Sequence, residues 1–464
     1  MSCNRAIVFA ALLLASIGAS ATDLSVTRFD DPVPNGCVPN DCSLREAVMS
    51  ANALSGADRI VLAAGIYHLT IPGTSTDASL GDLDIESAIE VVGAGAGSTT
   101  ILGENSARIF DVGTTYSLFL HRLTLDHGRD NGDLGVTGGG AIRQDGTLTV
   151  EDAVISGSQT SGDGGAIYNR GNEDTVLRRV QLLNNAANGD GGAIQTVFGG
   201  LLLADSIVSG NSANHDGGGT HGYTTRVYRS LIQNNHSGDA GGGISGVGDC
   251  VCSSVEVHES TITGNSALVG GGVYAVYPFV IELSTLSANV AEAGGAIYIT
   301  DKDADADRAT AKVLSSTLIG NTAPEGSGVY FYDTQFTPNF IVTFQNTLLS
   351  GTCMRLEVGV NTIDGLLGNL ESPGNTCGFG GAFANGTFST HDVAAANVKL
   401  GTLADNGGPT PTHLPLAGSA AIGTGWQLVC EKFDQRGYVR TGCDVGAVEA
   451  GAIDDVIFRT GNDY

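Results

Sequence analysis

Charge is scarce in this sequence, and most of it has one sign. Only 15% of the 464 residues are charged, and 49 acidic residues outnumber 22 basic ones, which gives a formal net charge of −27. Such an acidic surface repels phosphate backbones and anionic lipid headgroups. The composition therefore argues against nucleic acid and anionic membranes as partners, and it permits binding of divalent cations.

Long apolar runs are also scarce. The run at residues 7–17 is too short to span a bilayer, and no stretch of about 18 apolar residues follows it, so we expect no transmembrane segment. Arg5, this run and the small residues after it form the pattern of a secretory signal peptide. We expect residues 1–21 to be cleaved and the mature protein to be secreted, either extracellular or at the cell surface.

The cysteines occur as near neighbours along the chain. Because Cys3 leaves with the signal peptide, eight of the nine cysteines remain. An even, clustered count in an exported chain predicts disulfides, whereas a zinc site would need a second ligand pair nearby, which is missing. The pairs are Cys37/Cys42, Cys353/Cys377, Cys430/Cys443 and Cys250/Cys252, of which the last stays open because a one-residue loop is strained.

Prolines number only 11, but glycines number 68, about twice the usual share. Two repeated markers account for the glycines. A glycine pair or near-pair, followed by a branched residue, recurs at positions 139, 164, 191, 217, 241, 270, 294 and 326. An apolar residue three positions before an asparagine recurs in phase with it, at Asn185, Asn211, Asn235, Asn265, Asn289 and Asn321.

Short runs rich in β-branched residues lie between these markers, and the period is near 26 residues, which is typical of one turn of a parallel β-helix. Leucine-rich repeats share the period but need a leucine frame that is missing. Stacked turns convert each repeat position into a column, and we expect the asparagines to form an internal ladder. The predicted apolar core column is Ile142, Ile167, Ile194, Thr220, Ile244, Val273, Ile297 and Val329. The next residue should face outward, which gives Arg143, Tyr168, Gln195, His221, Ser245, Tyr274, Tyr298 and Tyr330.

An open β-helix end needs a cover, and the stretch CSLREAVMSANAL at residues 42–54 predicts one. Ser43 and Glu46 have the spacing of a helix capping box. The apolar stripe of this helix, which we expect to lie over the first turn, consists of Leu44, Ala47, Val48 and Ala51.

The motif CSLREA, with the AN pair and the strand that follow it, resembles the CSLREA domain that precedes right-handed parallel β-helices in secreted bacterial proteins. Residues 405–449 resemble the choice-of-anchor Q region of the same proteins, and the repeats are similar to those of polymorphic outer-membrane proteins, which are adhesins. The resemblance implies an all-β, right-handed parallel β-helix of the pectate-lyase type with an N-terminal capping helix. The expected organisation is a signal peptide (1–21), a CSLREA cap (22–58), β-helix repeats (59–350), terminal coils (351–404), a choice-of-anchor Q region (405–449) and a tail (450–464).

Carboxylates near the middle of the repeats are candidate catalytic residues. Asp163, Asp190 and Asp216 share a turn position, so they should lie about one turn apart, near the spacing of a retaining glycosidase pair. Aspartate before a glycine pair is also ordinary turn chemistry. A lyase would instead use Arg226 or Arg229 as the base and Ca²⁺ held by Asp190, Asp216 and Asp239. Apart from that Ca²⁺ we expect no cofactor.

The same turns offer candidate metal ligands. His215 and Asp239 should share one turn column on adjacent turns, with His236 and Asp216 close by. Zinc accepts this mixture of nitrogen and oxygen ligands. Exposed turn histidines without a metal are the simpler explanation.

The outward aromatic residues are candidate binding residues, because burial in the core does not explain them. They are Tyr168, His221, Tyr274, Tyr298 and Tyr330. Stacked rings can stabilise a sheet, but amphipathic rings also suit sugars and partner surfaces. The sequence thus predicts adhesin-like binding of an extracellular polysaccharide or cell-surface component. The alternative, a polysaccharide lyase or glycoside hydrolase acting around residues 190–239, leaves open whether the protein is an enzyme.

Overall fold

The chain folds as a parallel β-solenoid of about ten turns with very little helix. The computed structural model describes residues 21–73, 76–130, 137–247, 254–276, 278–300, 310–332, 341–356, 362–374, 376–377, 391–392 and 394–454. Strand follows strand in the same direction from one turn to the next, and the all-β parallel fold predicted from the repeats is confirmed. The predicted domain boundaries remain predictions.

The strands of the described residues form four sheets, A to D, that run along the solenoid. Sheet A contains β1 (Asp23–Ser25), β2 (Ala57–Val61), β5 (Ala88–Val92), β8 (Ser117–His121), β12 (Thr147–Glu151), β16 (Thr175–Arg178), β20 (Leu201–Ala204), β24 (Thr224–Tyr228), β28 (Ser254–His258), β31 (Phe279–Glu282), β34 (Thr310–Leu314), β37 (Ile341–Gln345) and β40 (Thr362–Leu367). Sheet B contains β3 (Gly65–His68), β6 (Thr99–Leu102), β9 (Thr124–Asp126), β13 (Val154–Ser156), β17 (Gln181–Leu183), β21 (Ile207–Ser209), β25 (Leu231–Gln233), β29 (Thr261–Thr263), β32 (Thr285–Ser287), β35 (Thr317–Ile319), β38 (Leu348–Ser350), β41 (Leu370–Ser372) and β42 (His391–Asp392).

Sheets C and D complete each turn. Sheet C contains β4 (Leu83–Ile85), β7 (Phe110–Val112), β11 (Ile142–Gln144), β15 (Ile167–Asn169), β19 (Ile194–Thr196), β23 (Thr220–Gly222), β27 (Ile244–Gly246), β30 (Val273–Val276), β33 (Ile297–Thr300), β36 (Val329–Tyr332) and β39 (Cys353–Leu356). Sheet D contains β10 (Arg129–Asp130), β14 (Gln159–Thr160), β18 (Ala186–Ala187), β22 (Ser212–Ala213) and β26 (His236–Ser237). The helices are α1 (Leu44–Ala53) and two short 3₁₀ helices, Ala395–Asn397 and Gln427–Val429.

The connections between sheets differ in how much their length varies. From β12 to β13, and in each later turn as far as β37 to β38, two residues join sheet A to sheet B. The connection from sheet C to sheet A ranges from one residue, Tyr223, to the nine residues 301–309. The uneven spacing of the repeats therefore arises mainly at the junction of sheets C and A.

The predicted core column lies inside sheet C. Register pairs place its eight residues in line from Ile142 to Val329, and all of them are buried. Burying a branched aliphatic side chain contributes about 1.5–3 kcal/mol relative to leaving it exposed, so each Ile or Val of this column stabilises the stacking of its turn.

The predicted asparagine ladder is present. The amide Nδ2 of Asn185 lies 3.0 Å from Oδ1 of Asn211, and the backbone N–H of Asn185 donates to the same oxygen at 2.9 Å. The pattern repeats from turn to turn and ends with Asn289 donating to Asn321 at 2.9 Å. Each amide also donates to a backbone carbonyl, such as that of Ile155, so the buried groups of the turn are satisfied.

A second ladder, of serines, occupies the turn between sheets A and B. The backbone N–H of Ser206 donates to Oγ of Ser230 at 3.0 Å, and Ser230 donates to Ser260 in the same way. The ladder continues to Ser284 and Ser316. The residue before each serine has a positive φ, for example 52° at Asp205, so the serine follows a sharp bend. This ladder was not predicted from the sequence.

The repeated glycine pair has a separate steric reason at each position. The first glycine adopts a left-handed conformation, with φ of 71° at Gly217, which other residues rarely adopt. The second glycine lies against the next turn, and a Cβ atom at Gly295 would lie only 2.6 Å from the carbonyl oxygen of Ser327. A side chain at the second position would therefore separate the turns.

The predicted capping helix is confirmed. Ser43 Oγ accepts from the backbone N–H of Glu46, and the Glu46 carboxylate accepts from the backbone N–H of Ser43 at 2.8 Å. The predicted apolar stripe is buried, and α1 packs against β2 and β4. The fully buried Arg45, between Ser43 and Glu46, was not predicted to be structural: its guanidinium pairs with Asp31 at 2.8 and 3.0 Å.

The C-terminal region packs against the outward side of sheet B. Gln435 is buried and links the neighbouring strands β29 and β32, because it donates to Thr261 at 2.8 Å and accepts from Thr285 at 2.6 Å. Asp434 pairs with Arg436 at 2.7 Å, and both side chains are buried. The motif DQRG, residues 434–437, therefore attaches this region to the solenoid.

Three of the predicted disulfides are present, namely Cys37–Cys42, Cys353–Cys377 and Cys430–Cys443. Cys250 and Cys252 lie outside the described residues, and so does nearly all of the predicted signal peptide. No helix within the described ranges is long and apolar enough to cross a membrane.

We predict that Asn235→Ala destabilises the solenoid by at least about 2 kcal/mol, because it leaves buried donors of Asn211 without an acceptor. Denaturant unfolding followed by circular dichroism measures this change. Asn214→Ala makes the same substitution at an exposed position and should change the free energy of unfolding by less than about 0.5 kcal/mol. Equal effects of both variants would contradict a structural ladder.

We predict that Ser43→Ala costs about 1 kcal/mol, because the N–H of Glu46 loses its acceptor. Loss of the Cys37–Cys42 bridge should cost somewhat more. Ser50→Ala makes the same chemical change within α1 but away from its N-terminus and should not lower the melting temperature. A helix that does not stabilise the first turn would leave all three variants with the wild-type melting temperature.

Candidate functional site beside sheet C

The predicted outward column is continuous. Register pairs align Arg143, Tyr168, Gln195, His221 and Ser245 and continue through the three tyrosines of the later turns. Its side chains do not enter the core, yet they are half-buried or buried. His221 is only 6% exposed and Ser245 is fully buried. The column is therefore enclosed, which the sequence did not predict.

A second column, which we call the turn column, lies beside the outward column. It consists of Gly138, Asp163, Asp190, Asp216, Ala240, Val269, Ala293 and Glu325. The tight glycine turn folds back toward the strand that follows it, and a Cβ atom at Gly217 would lie 2.6 Å from Cβ of His221. Each turn-column residue therefore lies near the outward residue five positions later.

The two columns change character together along the solenoid. In the earlier turns, aspartates of the turn column flank Tyr168, Gln195 and His221. Ala240, Val269 and Ala293 follow the aspartates, and Glu325 follows them; the outward residues beside these four are Ser245 and then Tyr274, Tyr298 and Tyr330. We call the outward column and the turn column together the strip. Its polar half extends from Tyr168 to Ser245 of the outward column, and its aromatic half extends from Tyr274 to Tyr330.

The aromatic half is a stack of tyrosine rings. The Tyr274 and Tyr298 rings are 5.5 Å apart with planes 16° apart, and the Tyr298 and Tyr330 rings are 5.0 Å apart with planes 8° apart. Tyr332 tilts against Tyr298 at 6.1 Å. Burial raises the pKa of Tyr298 well above its usual value, and the neighbouring phenols raise it further. The ring faces cover one another, so a ligand would meet ring edges and hydroxyl groups.

The polar half brings together Asp190, Asp216 and His221. Their ligand atoms all lie within 4.8 Å of one another, and Nε2 of His221 is 3.9 Å from Oδ2 of Asp190. Oδ1 of Asp190 accepts from the backbone N–H of Asp216 at 3.0 Å, and Oδ1 of Asp216 accepts from that of Ala240 at 2.9 Å. Burial raises the pKa of Asp216; the His221 imidazole lowers it and the Asp190 carboxylate raises it.

Three buried polar atoms of this half lack hydrogen-bond partners among the described residues. They are Oε1 of Gln195, Nδ1 of His221 and Oγ of Ser245, which lie on three consecutive turns of the outward column. Leaving such a group unpaired costs about 1–3 kcal/mol, so each of the three needs a partner such as a water molecule or a ligand.

The other predicted site residues lie elsewhere. Arg226 is on β24 in sheet A, where its guanidinium pairs with Asp174 at 3.2 Å. His215 and Asp239 are exposed, and His236 is exposed with Nδ1 2.9 Å from Oγ of Ser266. Within the described part of the chain, the Asp216 carboxylate forms a cluster with Asp190 and His221 and not with these three residues.

Gln195 and Ser245 belong to the site although neither was singled out as a binding residue. Their signal in the sequence is positional, because both occupy the outward column on either side of His221. Neither residue type is distinctive by itself. The alignment of repeats was therefore the only sequence signal that could have identified them.

The outward column begins with charged residues at the N-terminal end of sheet C. Asp84 and Asp111 precede Arg143, whose guanidinium pairs with Asp111 at 3.0 Å. Burial raises the pKa of Asp84 to about 7, and the carboxylate of Asp82 raises it as well, against a hydrogen bond from the Ala78 backbone.

No family model matches the chain. A stretch of 83 residues is 40% identical to part of the probable autotransporter YfaL of Escherichia coli (strain K12), and the match covers 16% of this chain and 7% of that protein. The chain thus matches only a small part of its curated relative. The resemblances to the CSLREA domain and the choice-of-anchor Q region remain predictions. The disulfides and the similarity fit an extracellular or surface protein.

We predict that Asp84→Asn stabilises the protein at pH 8 and has little effect near pH 4. Asp84 binds its proton more tightly in the folded state, with a pKa of about 7, than in an unfolded chain, with a pKa of about 3.9. Wild-type stability should therefore fall as the pH rises between these values, and asparagine keeps an acceptor for Ala78 without the charge. Melting temperatures of the wild type and the variant, measured from pH 4 to pH 8, test this prediction. A difference in melting temperature that does not change with pH would contradict it.

Proposed function

We propose that this protein works outside the cell or at its surface and binds a glycan along the outward column of sheet C. The observation that carries the proposal is the tyrosine stack of Tyr274, Tyr298 and Tyr330. These rings lie outside the core, so they are not needed to fill it. A parallel stack presents one phenol per turn in a straight line. A polysaccharide lying along the solenoid could contact one phenol after another.

The surroundings of the stack favour an uncharged sugar chain. The turn column beside it is apolar at Val269 and Ala293, next to Tyr274 and Tyr298, and carries a carboxylate, Glu325, next to Tyr330; the chain as a whole has a net charge of −27. An acidic polysaccharide would meet repulsion from this field unless cations screened it. Ring edges and hydroxyls on an apolar border suit the mixed polarity of a neutral glycan.

The polar half supports a second candidate, hydrolysis of a glycan. Asp216, whose pKa is raised by burial, lies one turn from Asp190, and a proton donor next to a carboxylate is what glycoside hydrolysis requires. Against this, Oδ1 of each aspartate accepts a backbone N–H, which is a structural role. The lyase alternative is weaker, because the candidate base Arg226 lies in sheet A, where its guanidinium pairs with Asp174.

We predict that the triple variant Tyr274→Ser, Tyr298→Ser, Tyr330→Ser binds its polysaccharide at least about a hundredfold more weakly. Each ring should contribute about 1 kcal/mol or more to binding. Retention of the purified protein on immobilised xylan, β-glucan, polygalacturonate and alginate identifies the polysaccharide, and a titration then gives the affinity. Circular dichroism should show unchanged β-structure, because the rings are outside the core.

The matched control removes a stacked aromatic pair from a different face. Tyr228 and His258 stack at 5.0 Å on sheet A, and replacing both by Ser should leave retention unchanged. Equal losses in both variants, or none in the triple variant, would contradict binding at the tyrosine stack. New reducing ends with the wild type that disappear in Asp190→Asn and Asp216→Asn would favour the hydrolase.

A further inference from the structure

We propose that Asp190, Asp216 and His221 form a binding site for one divalent transition-metal ion, with Zn²⁺ as the reference ion. The site combines one imidazole nitrogen with two carboxylates on adjacent turns. It does not depend on the glycan proposal, because it lies in the polar half of the strip and is tested without any polysaccharide.

The state of His221 is the observation that distinguishes this site from an ordinary acidic cluster. Its side chain is only 7% exposed, and Nε2 lies 3.9 Å from Oδ2 of Asp190, which is too far for a hydrogen bond. Nδ1 is buried and has no hydrogen-bond partner in the described part of the chain. Nε2 makes no hydrogen bond within the described residues and lies beside the Asp190 carboxylate, so a cation bound between them would give this nitrogen of a buried side chain a partner.

The hydrogen bonds of the two aspartates leave the right atoms for a metal. In each, Oδ1 accepts a backbone N–H of the following turn, which fixes the orientation of the carboxylate. Oδ2 then remains for coordination, and such fixing of ligands by further hydrogen bonds is usual in metal sites. Two carboxylates held side by side also repel each other, and a dication removes that repulsion.

The ligand chemistry selects the class of ion. Calcium and magnesium take oxygen ligands, whereas zinc and its neighbours bind imidazole and carboxylate together. Atoms bound to one zinc lie at most about 4.2 Å apart, because each is about 2.1 Å from the metal. The ligand atoms, which lie within 4.8 Å of one another, must therefore move closer together when a metal binds, and three protein ligands leave a position for water or a ligand.

The repeat supplies isosteric variants and a matched control. Asp190→Asn and Asp216→Asn keep an acceptor for the backbone N–H but remove the charge. His221→Gln reproduces the side chain that stands one turn earlier at Gln195. Asp163→Asn changes the same turn position one turn further away, where the carboxylate holds the N–H of Asp190 but is not part of the cluster.

The test is a calorimetric titration of the full-length, metal-free protein with ZnCl₂, and with CaCl₂ and MgCl₂ in parallel. We expect one Zn²⁺ per chain, at least tenfold weaker binding in the Asp190→Asn, Asp216→Asn and His221→Gln variants, and less than a twofold change in Asp163→Asn. Unchanged zinc affinity in His221→Gln, or binding of Ca²⁺ but not Zn²⁺, would overturn the proposal.

A spectroscopic measurement keeps the test valid even where a variant folds poorly. Co²⁺ in place of Zn²⁺ should give the visible absorption of a four- or five-coordinate site in the wild-type protein, and added Zn²⁺ should abolish it. An absorption spectrum identical to that of aqueous Co²⁺ at saturating protein concentration would show that the three side chains do not coordinate the ion. Glycan retention that survives while metal binding fails would leave the proposed function intact.

Discussion

The structure depends on one constraint, which is that each turn must satisfy the backbone groups of the turn before it. Strands do this by their ladder hydrogen bonds, but the bends between sheets cannot. At three of these bends a short polar side chain repeats in register and accepts a backbone N–H of a neighbouring turn. Asparagine does this before sheet D, serine between sheets A and B, and aspartate in the turn column. The three ladders explain why small polar residues are buried in an otherwise apolar solenoid.

The same constraint separates structural positions from positions that are free to acquire a function. The core column stays aliphatic over eight turns, with one threonine, and the ladder asparagine is kept over six. The outward column beside them changes from arginine to tyrosine, glutamine, histidine and serine within five turns. Variation beside such regularity indicates side chains that are not required to hold the fold together. The turn column takes part in both roles, because Asp190 and Asp216 hold backbone groups with one oxygen and face His221 with the other.

The sequence predicted those features whose signal repeats. The core column, the asparagine ladder, the outward column and the capping box at Ser43 were all visible as residues at fixed spacing. The serine ladder was missed because serine is common in loops and its bend shows no glycine. Arg45 was missed because its partner, Asp31, is brought near by the fold of the cap and not by any repeat. The proximity of Asp190 and Asp216 to His221 could not be predicted, because it depends on the direction in which the glycine turn folds back. The spacing of residues in the sequence does not reveal that direction.

The connections between sheets differ in freedom, and this has an evolutionary consequence. The two-residue link from sheet A to sheet B carries the serine ladder, so an inserted residue there would displace the serine of that turn from its neighbours. The link from sheet C to sheet A carries no such ladder in the described turns and already varies from one to nine residues. Insertions and deletions should therefore accumulate at that junction in related proteins. Because the junction follows directly after the strands of the outward column, a lineage can reshape the border of that column while the solenoid itself stays the same.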